Sequence, residues 1–175
     1  WYIEDGDITV KAGETEGTNK VSQGANQEVE DTDTIIKNRE DTASSNTVTI
    51  DAGNDKVEVT LDNVNIKTDS GSALTSNGDV TLTLKGENHL TGGNGDIYGG
   101  DGITSRGSLT ISGGTVTATG GGSTGSNGLG GRGICSDSGG VTISGGTVKA
   151  AGGNGSGISS SSGVTVSDGT VTANG

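Results

Sequence analysis

Few side chains in this sequence could do chemistry. Residues 71–175 hold six acids (Asp79, Glu87, Asp96, Asp101, Asp137 and Asp168), the only histidine, His89, the only cysteine, Cys135, and Tyr98. Glycoside hydrolysis needs two carboxylates roughly 5–9.5 Å apart, and only Asp96 and Asp101, on one Gly-rich segment, could converge. Eliminative cleavage of an acidic sugar needs a base beside a calcium-binding cluster of acids, and Arg106 or Arg132 is the only candidate base. A Ser-His-Asp triad would have to use His89, whose surroundings, GENHLTGG, contain no nucleophile elbow. These residue types point to binding before catalysis. Tyr98, the only aromatic outside the extreme N-terminus, would stack on a sugar ring or simply cover aliphatic surface.

The frame that must position them is a repeat. LTISGGTVTATGG at 109–121 returns as VTISGGTVKAAGG at 141–153 and as VTVSDGTVTANG at 164–175. Extending the alignment gives three apolar elements per copy. The first is anchored by Leu74, Ile103, Ile134 and Ile158. The second runs Val59/Leu61, Val80/Leu82, Leu109/Ile111, Val141/Ile143 and Val164/Val166, and the third runs Ile66, Leu90, Val116/Ala118, Val148/Ala150 and Val171/Ala173. Within each element apolar residues alternate with Thr, Ser or Lys, the period of a strand with one buried face. GG or DG between the second and third elements supplies a bend. Three strands and three bends in roughly 21–32 residues predict a right-handed parallel β-helix, an all-β solenoid in which like residues stack about 4.8 Å apart. A β-sandwich, the alternative, would join unlike strands by hairpins and fill its core with aromatics.

Composition agrees with a stacked architecture. Of 175 residues 36 are Gly, none is Pro, Met or Phe, and Trp1, Tyr2 and Tyr98 are the only aromatics, too little for a compact core. Residues 1–70 hold 16 acids and 6 bases, whereas residues 71–175 hold 6 and 4, within a net charge of −12. Phosphate binding needs clustered Lys and Arg, so nucleic acid is not an expected partner. Cys135 has no intrachain disulfide partner and no zinc-type spacing, and reads as a small buried residue. No run of 18 apolar residues exists, so no membrane insertion is expected. No signal peptide is visible, and a start on Trp1 suggests a mature or excised fragment.

Residues 1–47 lie outside the repeat, carry much of the acid, and read as an N-terminal β cap with short strands at 7–10 and 34–37. Residues 48–175 read as a β-helix of about five coils. Its end, directly after a third-strand element, is expected either to be exposed or to continue into another coil. From first to second strand the anchors step 6, 6, 7 and 6 residues, whereas from third strand to the next first strand they step 8, 13, 18 and 10 (66→74, 90→103, 116→134, 148→158). All long insertions therefore leave one edge, a common binding edge in repeat proteins. TGGNGDIYGGDG at 91–102 and TGGGSTGSNGLGGRG at 119–133 are expected to meet there. The candidate ligand residues are Tyr98, Asp96, Asp101, Asn127 and Arg132.

The alignment sets Asp101 against Arg132 and Arg106 against Asp137, as ion pairs that fix register or as ligand contacts. A secondary ligand face is the outside of the third strand. One rank is read as Asn65, His89, Thr115, Thr147 and Thr170, the other as Lys67, Thr91, Thr117, Lys149 and Thr172. Its candidates are Lys67, His89, Thr115, Thr117, Thr147 and Lys149, suited to a carboxylated sugar chain. Lys67 and Lys149 interrupt what would otherwise resemble an ice-binding Thr array. Three patterns mislead. Gly128, Gly130 and Gly133 form GxGxxG, but a strand follows where a dinucleotide site needs a helix. GGNGDIY at 92–98 resembles a calcium nonapeptide with Asp96 one position early and without a stacked partner. Asn154-Gly155-Ser156 is a glycosylation sequon. No cofactor or metal is expected, with calcium at Asp96 and Asp101 kept as an alternative.

SNTVTIDAG…VTLDNVNI at 45–66, followed by ISGGTV-type coils with Gly-rich returns, resembles the carbohydrate-binding β-helix domains of secreted and surface proteins from gut and cellulolytic Gram-positive bacteria. The resemblance covers the chain from about Asp5 to its end. It implies binding of plant polysaccharides and acidic sugars, sometimes with calcium, and it carries no catalytic motif. The expectation is a secreted or cell-surface, non-catalytic module that recognises polysaccharide or host glycan. Alternatives are a host-protein-binding domain, a rigid adhesin spacer and a polysaccharide lyase-like enzyme.

Overall fold

Alternating aliphatic and hydroxyl side chains make strands that bury one face, and the short bends between them return the chain onto the preceding turn. The computed structural model describes residues 1–126 and 128–175. It is an all-β solenoid of about five turns, with 58% of its residues in strands. The strands are β1 (Ile8–Ala12), β2 (Asn19–Gln23), β3 (Val29–Asp31), β4 (Ile35–Lys37), β5 (Val48–Asp62), β6 (Asn65–Lys67) and β7 (Leu74–Thr91). They continue with β8 (Ile103–Arg106), β9 (Leu109–Thr119), β10 (Ile134–Ser136), β11 (Val141–Ala151), β12 (Ile158–Ser160) and β13 (Val164–Asn174).

All pairings from β5 onward are parallel and join residues one turn apart. On the first face Leu74, Ile103, Ile134 and Ile158 stack in one column. On the second, Val80, Leu109, Val141 and Val164 do the same. Two expected alignments are corrected by two residues. Val57 and Val59, not Val59 and Leu61, face Val80 and Leu82, and Leu61 lies against Leu84. On the third face Leu90 faces Ala118 and His89 faces Thr117, so Asn88 stands opposite Val116. The returns to the first face are therefore 8, 13, 16 and 8 residues (66→74, 90→103, 118→134, 150→158). A two-residue slip leaves every side chain on its own side of the sheet, so alternation cannot detect it.

Asn88 hid that register because it is polar, yet it is fully buried. Its Oδ1 accepts from Val64 N at 2.9 Å, and its Nδ2 donates to Lys85 O and Thr115 O, both at 3.1 Å. The side chain ties three rungs together at the bend between the second and third faces. A second inward polar column runs Ser76, Ser105, Ser136 and Ser160 at the bend between the first and second faces. Ser105, Ser136 and Ser160 donate to the carbonyls of Gly107, Gly139 and Gly163 at 2.9, 2.8 and 2.8 Å. These bonds hold the bend to nearly constant length. Ser76, stacked on Ile50, has a buried hydroxyl with no partner among the described residues.

The N-terminal segment ends the stack. β1 lies in parallel on β5 (Ile8↔Val48, Val10↔Ile50) and antiparallel to β2, which pairs antiparallel with β3. β4 stacks on the second face (Ile36↔Leu61), and Ser44 bridges Ile66 on the third. Ile3, Ile8, Val10, Val21 and Ile36 are buried in one core with the coils. Some of its acids are held by nearby bases: Arg39 grips Asp5 at 2.5 and 2.6 Å and lies 4.2 Å from the Tyr2 ring centre, and Lys20 lies 2.7 Å from Glu14. At the other end β12 and β13 have one neighbouring strand each, and inward-facing Val164 and Val166 are 44% and 50% exposed.

The serine column generates a contrast. Ser136→Ala is expected to cost about 0.5–1.5 kcal/mol by removing a bend hydrogen bond, which lowers Tm by roughly 2–4 °C per kcal/mol at this size. Ser76→Ala removes a hydroxyl that has no partner and should leave Tm unchanged or raise it. Calorimetric melts of the two variants check this, and equal losses would contradict the bend assignment.

Candidate functional site

The insertions between the third and first faces are built on glycine. Gly93 N donates to Gly71 O, Gly100 N to Gly93 O, Gly121 N to Gly100 O, Gly131 N to Gly121 O and Gly153 N to Gly131 O, all at 2.7–2.9 Å. The outgoing leg of each loop thus lies on the return leg of the preceding one. A Cβ at Gly100, Gly121 or Gly131 would overlap the carbonyl oxygen of Gly71, Gly93 or Gly100 respectively. Only bare backbone packs this closely, so the Gly-rich legs are a hydrogen-bonded ladder and the side chains that could meet a ligand are confined to the tips and roots. At the tips Gly95 bridges Ser123 and Tyr98 bridges Leu129, both in parallel, and Leu129 N donates to Ile97 O at 2.8 Å.

Tyr98 is 71% exposed, and Ile97 and Leu129 are each 63% exposed. Leu129 belongs to the loop edge that the sequence marks out, and Ile97 is an addition to it that only its exposure reveals. Both are rare large aliphatics in loops otherwise made of Gly, Ser and Asn. At the roots, Ser72, Asp101, Arg132 and Ser156 each sit two residues before a first-face anchor and occupy successive rungs. They line an open groove of about 550 Å³ together with Tyr98 and Leu129. Asn127 lies outside the described residues.

Asp101 is the hub of the root. It is only 7% exposed, and its carboxylate accepts from Arg132 N at 2.7 Å, Thr104 Oγ1 at 2.9 Å, and Arg132 Nε and Nη2 at 3.4 Å. Its own amide donates to Ser72 Oγ at 3.2 Å. Three rungs meet at this one residue. Arg132 also lies 3.8 Å from Asp137. Burial acts to lower its pKa, but Asp101, with Cys135 and Asp137 contributing, outweighs that and holds it above the ordinary value. The expected Arg106–Asp137 pair is not formed: Asp137 turns to Arg132 and accepts from Cys135 Sγ at 3.0 Å, and among the described residues Arg106 makes no ion pair. Arg132, two residues before the anchor, already reaches over that position.

Cys135 points to the outer side of the first face, opposite Thr104 and Ser159, yet is fully buried. Burial, then the hydrogen bond to Asp137, pushes its pKa up to about 12. Asp96 is exposed and accepts from Thr124 Oγ1 at 3.1 Å, so the two loop acids serve different partners. Among the described residues no three Asp, Glu, His or Cys side chains come together as a metal site.

The secondary face is arranged differently from its sequence reading. Asn65, His89, Thr117, Lys149 and Thr172 form one rank and Thr115, Thr147 and Thr170 another, while Lys67 stands on the rank of Thr91 and Thr119. Lys67, His89 and Lys149 are exposed but share no single row. A hollow of about 490 Å³ between residues 12–19 and 55–58 has Glu14, Glu16, Asp55 and Glu58 in its lining, together with Lys56 and uncharged residues. No helix of the described residues is long and apolar enough to cross a membrane. No protein-family model, curated protein or solved structure matches the chain.

Two outcomes follow from the root. Asp101→Ala leaves the Arg132 amide and the Thr104 hydroxyl without their acceptor and should cost about 1–3 kcal/mol. Arg132→Ala removes a half-exposed partner and should cost about 0–1 kcal/mol, so the ranking of the two melts tests which member organises the loops. For Cys135 a raised pKa favours the neutral thiol in the folded state. Its stabilising contribution is complete below the ordinary thiol pKa of 9.0 and is lost as pH rises toward about 12. Iodoacetamide at pH 8 should therefore leave the native protein unmodified and label it rapidly in guanidinium chloride, as mass spectrometry would record.

Proposed function

We propose that the chain is a non-catalytic, secreted or cell-surface module that binds glycan along the loop edge, in keeping with the family its sequence resembles. The observation that carries this reading is the open groove at the loop roots, polar along its column of Ser72, Asp101, Arg132 and Ser156 and bordered by the exposed ring of Tyr98. An aromatic face beside a few fixed polar groups is what a sugar ring requires, since its C–H face is apolar and its rim carries hydroxyls. The non-catalytic reading is supported by the commitment of both loop acids: Asp101 is held by Arg132 and Thr104, and Asp96 by Thr124. The His89 side chain has no hydrogen-bond partner among the described residues.

The aliphatic tip formed by Ile97 and Leu129 favours a second reading, docking on a protein surface. Large exposed aliphatic side chains on neighbouring loop tips, here with the Leu129 amide bonded to Ile97 O, are a feature of interaction surfaces. A panel of plant polysaccharides and host glycoproteins separates the two. Glycan binding should weaken about tenfold in Tyr98→Ala, equivalent to about 1.4 kcal/mol, with Tm unchanged. Binding confined to deglycosylated protein and lost in an Ile97→Ser/Leu129→Ser variant would establish the second reading instead.

A further inference from the structure

We infer that the loop-edge groove takes an uncharged, extended glycan chain running along the solenoid axis and discriminates against polyanionic ones. This rests on the glycan-binding reading. The direction follows from the register. Ser72, Asp101, Arg132 and Ser156 occupy one position on four successive rungs, and rungs spaced about 4.8 Å apart extend the column over about 14 Å. Such a site matches several consecutive rings of a chain better than one terminal sugar.

The charge preference follows from where the cations are. Within the insertions at 91–102, 119–133 and 151–157, Arg132 is the only base. Its guanidinium is already engaged, 3.4 Å from buried Asp101 and 3.8 Å from Asp137. With Asp96 added, this edge is net negative, in a chain of net charge −12. A carboxylated polymer would surrender hydration at each charge without gaining a free cation to replace it. An uncharged chain needs only hydrogen-bonding partners for its hydroxyls, which Asn154, Ser156 and Ser159 supply in the same groove. Lys67, His89 and Lys149 belong to the third face and do not line the groove.

Affinity electrophoresis of the whole chain through gels containing matched polymers tests this. The pairs are hydroxyethylcellulose against carboxymethylcellulose, and fully methyl-esterified polygalacturonan against polygalacturonate. In whichever pair is retained, the uncharged member should retard the protein at least tenfold more strongly. The deficit of the charged member should shrink as salt rises, because screening weakens like-charge repulsion. Tyr98→Ala should weaken the retardation about tenfold, equivalent to about 1.4 kcal/mol. Asp137→Asn, an exposed change that relieves Arg132 of one partner, should narrow the discrimination. Equal or stronger retardation by the charged polymer, weakening with salt, would overturn the inference while leaving glycan binding intact. No retardation by any of the four would overturn both.

Discussion

Parallel stacking between turns is the constraint on which everything else in this molecule depends. A chain with 36 glycines and three aromatics cannot build a compact core from one layer of large side chains. It can build a long one from columns of like aliphatics, because each rung buries the next. Leu74, Ile103, Ile134 and Ile158 are fully or half-buried only because each has a neighbour one turn away. Full burial of each aliphatic contributes roughly 1.5–3 kcal/mol, and the contribution is shared between neighbours in the manner of repeat proteins. Val164 and Val166, with a rung on one side only, show how incomplete that burial is without the second neighbour.

Stacking also dictates which polar groups can be inside. The bends would leave carbonyl oxygens facing the core, and the inward serines and Asn88 satisfy them at repeated positions. Asn88, Ser136 and Ser160 reach both their own bend and an adjacent rung, so their hydrogen bonds reinforce the register that the aliphatic columns permit. The glycine ladder extends the same rule into the insertions. Loops of different length remain ordered because their legs pair backbone to backbone, where any side chain would collide with a carbonyl.

The arrangement confines the accessible side chains of the loop edge to two levels. The roots carry Asp101 and Arg132, whose mutual engagement fixes three rungs and uses up the only loop cation. The tips carry Tyr98, Ile97 and Leu129, exposed because the glycine legs offer them nothing to pack against. A rigid base and an apolar rim are thus consequences of the same packing, and they set the terms on which an extended ligand would be met.

By itself the sequence determined the all-β solenoid, the three faces, the inward sense of each aliphatic and the single edge from which the long loops leave. These follow from local alternation and from repetition, both of which are written along the chain. Tertiary structure alone decided the register on the third face, where Asn88 takes an aliphatic's place. It also decided the regrouping of His89, Thr117 and Lys149 into one rank and the turning of Asp137 away from Arg106 toward Arg132. A two-residue slip preserves the alternation, and a charged side chain chooses its partner by distance across rungs, so neither choice is encoded in any one stretch of residues. The legs of the loops belong to the same class: glycine announces flexibility in a sequence, and only the close approach of another backbone turns it into a fixed ladder.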